Sequence, residues 1–110
     1  MLIVGIDSGS TTTKGVLLEN NSIIKTLIEP TGYNPKSTMM SIHSELTNGK
    51  EAYTVTTGYG RNLLENSDKS ITEITCHAKG AAYLCSGIDA VFVFFNDTAT
   101  TEIYTLSLHD

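Results

Sequence analysis

The sequence has few cysteines and fewer basic than acidic residues, and each shortage excludes a class of protein. Cys76 and Cys85 are the only cysteines of the 110 residues, and they lack Cys-x-x-Cys spacing. A zinc or iron–sulfur site built by this chain alone is therefore not expected. Seven Lys and Arg against twelve Asp and Glu give a formal net charge of −5. This balance argues against a non-specific nucleic-acid binder, because no basic cluster follows a phosphate backbone.

Long apolar runs are also missing. No segment approaches the roughly 20 apolar residues of a membrane-spanning helix, so no membrane association is expected. The first residues lack the basic start of a signal peptide, and Asp7 interrupts their apolar run. We therefore expect a cytoplasmic protein. With 40% hydrophobic residues and a mean hydropathy of −0.02, the composition predicts one small globular domain with a modest core.

The amino-terminal segment carries the most chemical information. An apolar strand leads into Asp7, a turn of Gly, Ser and Thr covers Ser8–Thr12, and Lys14 opens a second apolar strand. Such a turn offers backbone N–H groups, hydroxyls and little steric bulk, which permit close approach of phosphate oxygens. A carboxylate beside it can hold a metal ion. The pattern predicts a nucleotide site.

Each residue of this segment has an alternative reading. Asp7 is predicted to hold Mg²⁺ directly or through water; otherwise it caps the turn. Lys14 either reaches a phosphate as a point charge or is a solvated strand residue. The phosphates are predicted to contact four turn residues, which otherwise form an ordinary hairpin turn: Gly9, Ser10, Thr11 and Thr12.

The hydrophobic pattern predicts the order β-β-β-α-β-α-β. Asn20-Asn21 is a two-residue hairpin signal, and Met39, Met40, Ile42 and Leu46 predict one face of the first helix. Hairpins followed by helix-connected strands predict a mixed α/β sheet of the ribonuclease-H-like kind. The predicted strands are Leu2–Asp7, Lys14–Glu19, Ser22–Glu29, Ala52–Thr57 and Asp89–Phe95, and the predicted helices are Lys36–Leu46 and Ile71–Cys85.

Three motifs resemble a known family. Gly5–Lys14 resembles the first phosphate motif of the actin, sugar-kinase and heat-shock-chaperone ATPase superfamily. Together with Thr56–Asn62 and Thr72–Ala81, it resembles the CoA-substrate-specific enzyme activases (BadF/BadG/BcrA/BcrD-type ATPases). These are the ATPase activators of 2-hydroxyacyl-CoA dehydratases and the ATPase subunits of benzoyl-CoA reductases. The resemblance covers residues 1 to about 91.

The resemblance implies cofactors and partners. Members are homodimers with a bridging 4Fe–4S cluster, and they couple hydrolysis of ATP, with Mg²⁺, to low-potential electron transfer onto the dehydratase or reductase. Their cluster-ligating cysteines lie in motifs beyond this chain, so Cys76 is not assigned as a ligand.

Glu73, His77 and Arg61 lie in the second and third motifs. In the chaperone ATPases a glutamate begins a comparable helix, which implies that Glu73 orients the metal-bound or attacking water. The alternative is a surface residue favoured at a helix start. His77 either joins Glu73 or lies at the edge of the core. Arg61 contacts an anion or a partner subunit, or is solvated.

The last residues depart from the family pattern. Residues 92–110 resemble translated sequencing-adapter sequence, so we expect residues 1–91 to be a truncated amino-terminal ATPase subdomain with a foreign tail. The alternative is a last strand, an Asn96-Asp97 turn and a further strand. Asp97 stands where the family has an acidic residue but lacks the paired glycines, and it is not assigned. The 110-residue chain itself is expected to have little or no ATPase activity.

Two other functions remain open. One is a small-molecule kinase of the same superfamily, of the amino-sugar type, which would need a sugar-binding loop. The other is a non-catalytic interaction domain with a decayed nucleotide turn. Downstream sequence separates the first from an activase, and calorimetry with ATP and Mg²⁺ tests the second.

Overall fold

The computed structural model describes residues 1–20, 22–84, 90–96 and 101–107, and the chain divides into two units, Met1–Ile71 and Thr72–Asp110. The strands are β1 Leu2–Ser8, β2 Thr12–Glu19, β3 Ser22–Pro30, β4 Tyr53–Gly58, β5 Lys69–Ser70, β6 Ala90–Asn96 and β7 Thr101–Ser107, and the helices are α1 Pro35–Thr47 and α2 Glu73–Leu84.

The first unit is built on a five-stranded sheet with the order β3-β2-β1-β4-β5. β2 pairs antiparallel with both β1 and β3, while β4 runs parallel to β1 and β5 runs parallel to β4. The helix α1 connects β3 to β4, as a parallel crossover requires. The sheet is therefore mixed, as the sequence predicted.

Buried and less buried side chains alternate along β1, so one face of the sheet packs against α1. Val4 and Ile6 are buried with Met39, Ile42 and Leu46 of α1 in one hydrophobic cluster, as a period of two in the strand and 3.6 in the helix predicts. Gly15 of β2 allows this close approach, because a Cβ there would collide with Ile42 and lie 2.9 Å from the Leu46 Cδ1 atom.

The ends of α1 follow local capping rules. The Asn34 side chain accepts a hydrogen bond from the Ser37 N–H at 3.2 Å, and Pro35 occupies the first turn. Asn48 ends the helix in the left-handed conformation.

Met40 departs from the predicted buried face of α1. Its exposed fraction is 53%, because it lies about 100° around the helix from Met39.

The β2–β3 hairpin has the predicted two-residue turn. Glu19 pairs with Ser22, and Asn20 adopts a φ of +52°, which asparagine tolerates better than most residues. Asn21 lies outside the described residues. A register shift between Leu17 and Leu18 changes the pairing near this turn.

The sequence missed one strand and predicted another to within one residue. The fifth strand of the sheet is the two-residue β5, which is too short to show a hydrophobic pattern. The strand predicted over Asp89–Phe95 is observed as β6 at Ala90–Asn96, with Asp89 outside the described residues, and β6 pairs antiparallel with β7 in a two-stranded sheet. This hairpin is the pairing that the sequence left open as an alternative. The pairing of β6 with β7 does not show where the segment comes from. The foreign origin of residues 92–110 stays a prediction.

The second unit begins with α2. Thr72 precedes the helix, accepts the Cys76 N–H through its carbonyl at 3.1 Å and accepts the Thr75 N–H through its hydroxyl at 3.4 Å. This is an N-cap, and it makes Glu73 the first helical residue, two residues after the predicted start at Ile71. Cys85 and Gly87, at the predicted end of the helix, lie outside the described residues. No helix in the described part of the chain is long and apolar enough to cross a membrane.

Candidate functional site

The phosphate-type turn is shorter than the sequence predicted. β1 continues to Ser8 and β2 begins at Thr12, so only Gly9, Ser10 and Thr11 lie between the strands. The Gly9 N–H donates to the Thr12 carbonyl at 3.0 Å. Thr12 and Lys14 are therefore strand residues. The strands extend further because hairpin pairing continues to the turn, with Asp7 opposite Lys14.

Thr31 fixes this turn from behind, although it lies 20 residues further along the chain than Thr11. Its hydroxyl donates to the Gly9 carbonyl at 2.8 Å, and its N–H donates to the Thr11 carbonyl at 2.9 Å. Thr31 is 2% exposed. Because its single hydroxyl hydrogen is used on Gly9, the 2.8 Å contact with the Thr13 hydroxyl must have Thr13 as the donor.

These bonds leave the donors of the turn available. The carbonyls of Gly9, Thr11 and Thr12 all accept protein hydrogen bonds. In the described part of the chain, the N–H groups of Ser10 and Thr11 have no protein acceptor, and both residues are exposed. The turn thus presents N–H groups and hydroxyls to solvent, an arrangement that suits an anion.

Replacing Thr31 with valine is expected to lower the free energy of unfolding by about 1–3 kcal/mol, because the Thr13 hydroxyl becomes a buried donor without a partner. Adding Thr13→Val removes that donor, so the double variant should lose less than the sum of the two single variants. Urea unfolding of all three variants measures the difference. Fully additive losses would contradict the bond assignment.

Asp7 and Lys14 place opposite charges at the edge of the turn. The Lys14 Nζ atom lies 3.8 Å from the Asp7 Oδ2 atom, and a Cβ on Gly9 would lie 3.7 Å from the same Nζ. Both side chains are partly exposed, at 48% for Lys14 and 28% for Asp7. The second oxygen, Asp7 Oδ1, is buried and accepts no hydrogen bond. The Lys14 ammonium therefore balances part of the charge of the carboxylate, while Oδ1 stays without a hydrogen-bond donor.

A glycine-bearing loop after β4 adjoins Asp7. Gly58 is the parallel partner of Ser8, and the Gly60 N–H donates to the Ser8 carbonyl at 3.2 Å. A Cβ on Gly58 would collide with that carbonyl and lie 2.7 Å from Asp7 Oδ1. Thr57, whose buried hydroxyl has no hydrogen-bond partner, completes this end of the sheet. The sequence placed Thr57 in this motif and Ser8 in the phosphate turn but gave neither a role in the site. The Ser8 hydroxyl is also buried without a hydrogen-bond partner.

Three further candidates from the sequence are Arg61, Glu73 and His77. Arg61 donates from its guanidinium to the Gly58 carbonyl at 3.1 Å, so it braces its own loop. Glu73 begins α2 in the second unit, with a partly buried side chain. The side chain of His77 lies outside the described residues. Among the described residues no group of three His, Cys, Asp or Glu side chains is placed to hold a metal ion.

Comparison with known proteins identifies relatives over most of the chain. The model of the BadF/BadG/BcrA/BcrD ATPase family matches residues 4–94. The Escherichia coli protein YjiL, itself uncharacterised, is 41% identical over 90 residues, covering 80% of this chain and 35% of its own length. The (R)-2-hydroxyglutaryl-CoA dehydratase activating ATPase of Acidaminococcus fermentans is 37% identical over 95 residues, covering 80% of this chain and 36% of its own.

A solved structure of an activator has a similar fold. The activator of 2-hydroxyisocaproyl-CoA dehydratase from Clostridium difficile, with bound ADPNP, matches with a TM-score of 0.70 and 26% identity, covering 94% of this chain and 46% of that chain. The predicted ribonuclease-H-like fold of the actin and sugar-kinase superfamily is thereby confirmed. The chain spans about a third of the length of the curated relatives it matches.

Proposed function

The chain belongs to the BadF/BadG/BcrA/BcrD ATPase family, and from this premise we propose that it is the amino-terminal part of an ATP-hydrolysing activator. The partner is a 2-hydroxyacyl-CoA dehydratase or a benzoyl-CoA reductase, and hydrolysis drives low-potential electron transfer onto it. Relatives that activate 2-hydroxyacyl-CoA dehydratases support a dehydratase partner. Because ATP is a cytoplasmic metabolite, we propose a cytoplasmic location.

The observation that carries the proposal is the turn from Asp7 to Lys14. Its free N–H groups at Ser10 and Thr11 are suited to terminal phosphate oxygens, and the Lys14 ammonium adds positive charge at its edge. Phosphoryl transfer depends mainly on positioning and on neutralising charge. The N–H groups of the turn would position the phosphate oxygens, and Lys14 would neutralise part of their charge.

The carboxylate fits a magnesium ion. Asp7 Oδ1 is buried without a hydrogen-bond donor, and magnesium binds through one or two carboxylates while keeping several waters. We propose Asp7 as the residue that holds it, directly or through water. When bound, the ion supplies positive charge opposite the phosphate oxygens. Asp7 itself orients the metal and leaves the anion-binding turn free for phosphate.

Glu73 is proposed as the catalytic residue that orients the attacking water. Its place at the first position of α2 supports the role, since it matches the glutamate of the chaperone ATPases that the sequence resembles. Removing the carboxylate there should lower the hydrolysis rate more than the affinity for nucleotide.

The described residues do not fit a 4Fe–4S cluster, because Cys76 is the one cysteine among them and a cluster needs about four thiolates. We therefore propose that the cluster, its ligands and the homodimer contacts belong to other parts of a longer protein.

We also propose that residues 92–110 are foreign to this longer protein, and that the native sequence continues from about residue 91. Genomic DNA beyond codon 91 tests this directly, since an in-frame second phosphate motif is expected there.

Phosphate release from ATP tests the proposed function. The 110-residue chain should show little or no turnover, because its sequence carries the first phosphate motif of the superfamily without the second. The longer protein encoded by the genomic DNA, called here the extended gene product, should hydrolyse ATP with Mg²⁺. Comparable turnover by both proteins would contradict the proposed truncation, and no turnover by the extended gene product would contradict the function.

A further inference from the structure

Two unpartnered oxygen atoms lie next to each other in the strand register, at the carboxyl ends of β1 and β4. Thr57 is the parallel partner of Asp7, so both side chains project from the same face of the sheet. Thr57 is 8% exposed. Its Oγ1 atom and the Asp7 Oδ1 atom are both buried, and neither has a hydrogen-bond partner. Since buried polar atoms are nearly always paired, this pair indicates a ligand site.

The chemistry of the two atoms selects the ligand. An ionised carboxylate oxygen only accepts hydrogen bonds, whereas a threonine hydroxyl both donates and accepts. A phosphate oxygen supplies no donor and carries the same sign of charge as Asp7. A hydrated cation attracts the carboxylate, and its water molecules donate hydrogen bonds to both side chains. The Lys14 ammonium lies 3.8 Å from the other oxygen, Asp7 Oδ2, and donates no hydrogen bond to Oδ1.

We propose that Thr57 is a positioning residue of the metal site: its hydroxyl hydrogen-bonds a water molecule of the magnesium ion that Asp7 holds. The inference rests on the proposed function and deepens it. Gly58 keeps this place accessible, because a side chain there would contact Asp7 Oδ1. Partners of this kind orient the metal, and their removal typically weakens metal affinity by about 10–100-fold.

The test uses the extended gene product with ADPNP, and with Mn²⁺ as the metal probe observed by electron paramagnetic resonance. Thr57→Val removes the hydroxyl and keeps the shape, while Thr57→Ser keeps the hydroxyl. Thr26→Val is the matched control, since Thr26 is an exposed strand residue paired with Val16. Affinity for ADPNP in EDTA is measured in parallel. Thermal unfolding checks each variant, and Thr57→Ala repeats the test if Thr57→Val does not fold.

The Mn²⁺ concentration for half-saturation should rise about 10–100-fold in Thr57→Val and stay near the parent value in Thr57→Ser and Thr26→Val. Metal-free affinity for ADPNP should be equal in all proteins. A Thr57→Val variant that matches Thr26→Val, or that loses metal-free affinity to the same extent, would overturn the inference and leave the proposed function standing. A parent protein that binds no metal–nucleotide complex would overturn both.

Discussion

Replacing Asp7 with asparagine is expected to lower ATP hydrolysis by the extended gene product about 100-fold or more. The amide keeps the shape of the side chain but removes the negative charge that holds the metal. It also places an uncharged group opposite Lys14, whose ammonium then has no carboxylate at 3.8 Å. Steady-state phosphate release at saturating Mg²⁺ and ATP measures the loss.

Stability should change little in the same variant. Asp7 Oδ1 is buried without a hydrogen-bond donor, which is unfavourable for folding, and the partly exposed ion pair with Lys14 contributes little to stability. Asp7→Asn should therefore have a thermal midpoint equal to or above that of the parent. Glu65→Gln is the control, because it removes a fully exposed carboxylate whose pKa the hydrogen bond and charge of Lys36 lower. It should leave hydrolysis unchanged, and an equal loss in both variants would refute a specific role for Asp7.

Replacing Gly58 with alanine is expected to destabilise the first unit by about 2–5 kcal/mol. The φ of Gly58 is +90°, which L residues adopt at a cost, and the added Cβ would collide with the Ser8 carbonyl. The collision pushes apart β1 and β4 at the point where Asp7 and Thr57 lie. Nucleotide binding should therefore fall together with stability. Urea unfolding gives the free energy of unfolding.

Gly49→Ala separates the two causes. Gly49 has a φ of +80°, but a Cβ there meets nothing within 4 Å, so this variant shows the conformational cost alone, about 1 kcal/mol. The additional loss of unfolding free energy in Gly58→Ala then measures the cost of the collision beside Asp7. Equal losses of unfolding free energy in Gly58→Ala and Gly49→Ala would show that the loop moves to accommodate the Cβ at little cost, and that Gly58 does not fix the geometry of the site.

Local features of the fold were predictable from sequence, and long-range ones were not. The bounds of α1 depend on Asn34, Pro35 and Asn48, which act on their immediate neighbours. The Asn20 turn is equally local. In contrast, β5 is defined only by pairing with β4, and a two-residue segment has no periodicity to reveal that pairing.

The same distinction applies to the site. Asp7 and the Gly-Ser-Thr turn were identifiable because they form one continuous motif. The role of Thr31 was not predictable, because it arises from a contact with Gly9. Thr57 lies in the second motif, but its role was not predictable either, because it arises from register with Asp7 across the sheet. Threonine is common in strands, so its presence alone points to no site. The glycine at position 58 was the one sequence feature near Thr57 that indicated a close approach.

The backbone of the turn between Asp7 and Lys14 is expected to bind phosphate. Hydrolysis needs further elements, but binding by this turn needs only residues that the 110-residue chain contains. The most direct measurement is a titration of the isotope-labelled chain with Mg²⁺ and ADPNP, followed by amide nuclear magnetic resonance. We predict that the largest shifts occur at Ser10 and Thr11, with little change along Ser22–Pro30. Unchanged amide signals in the turn at millimolar nucleotide, or shifts centred elsewhere, would show that the turn does not bind phosphate.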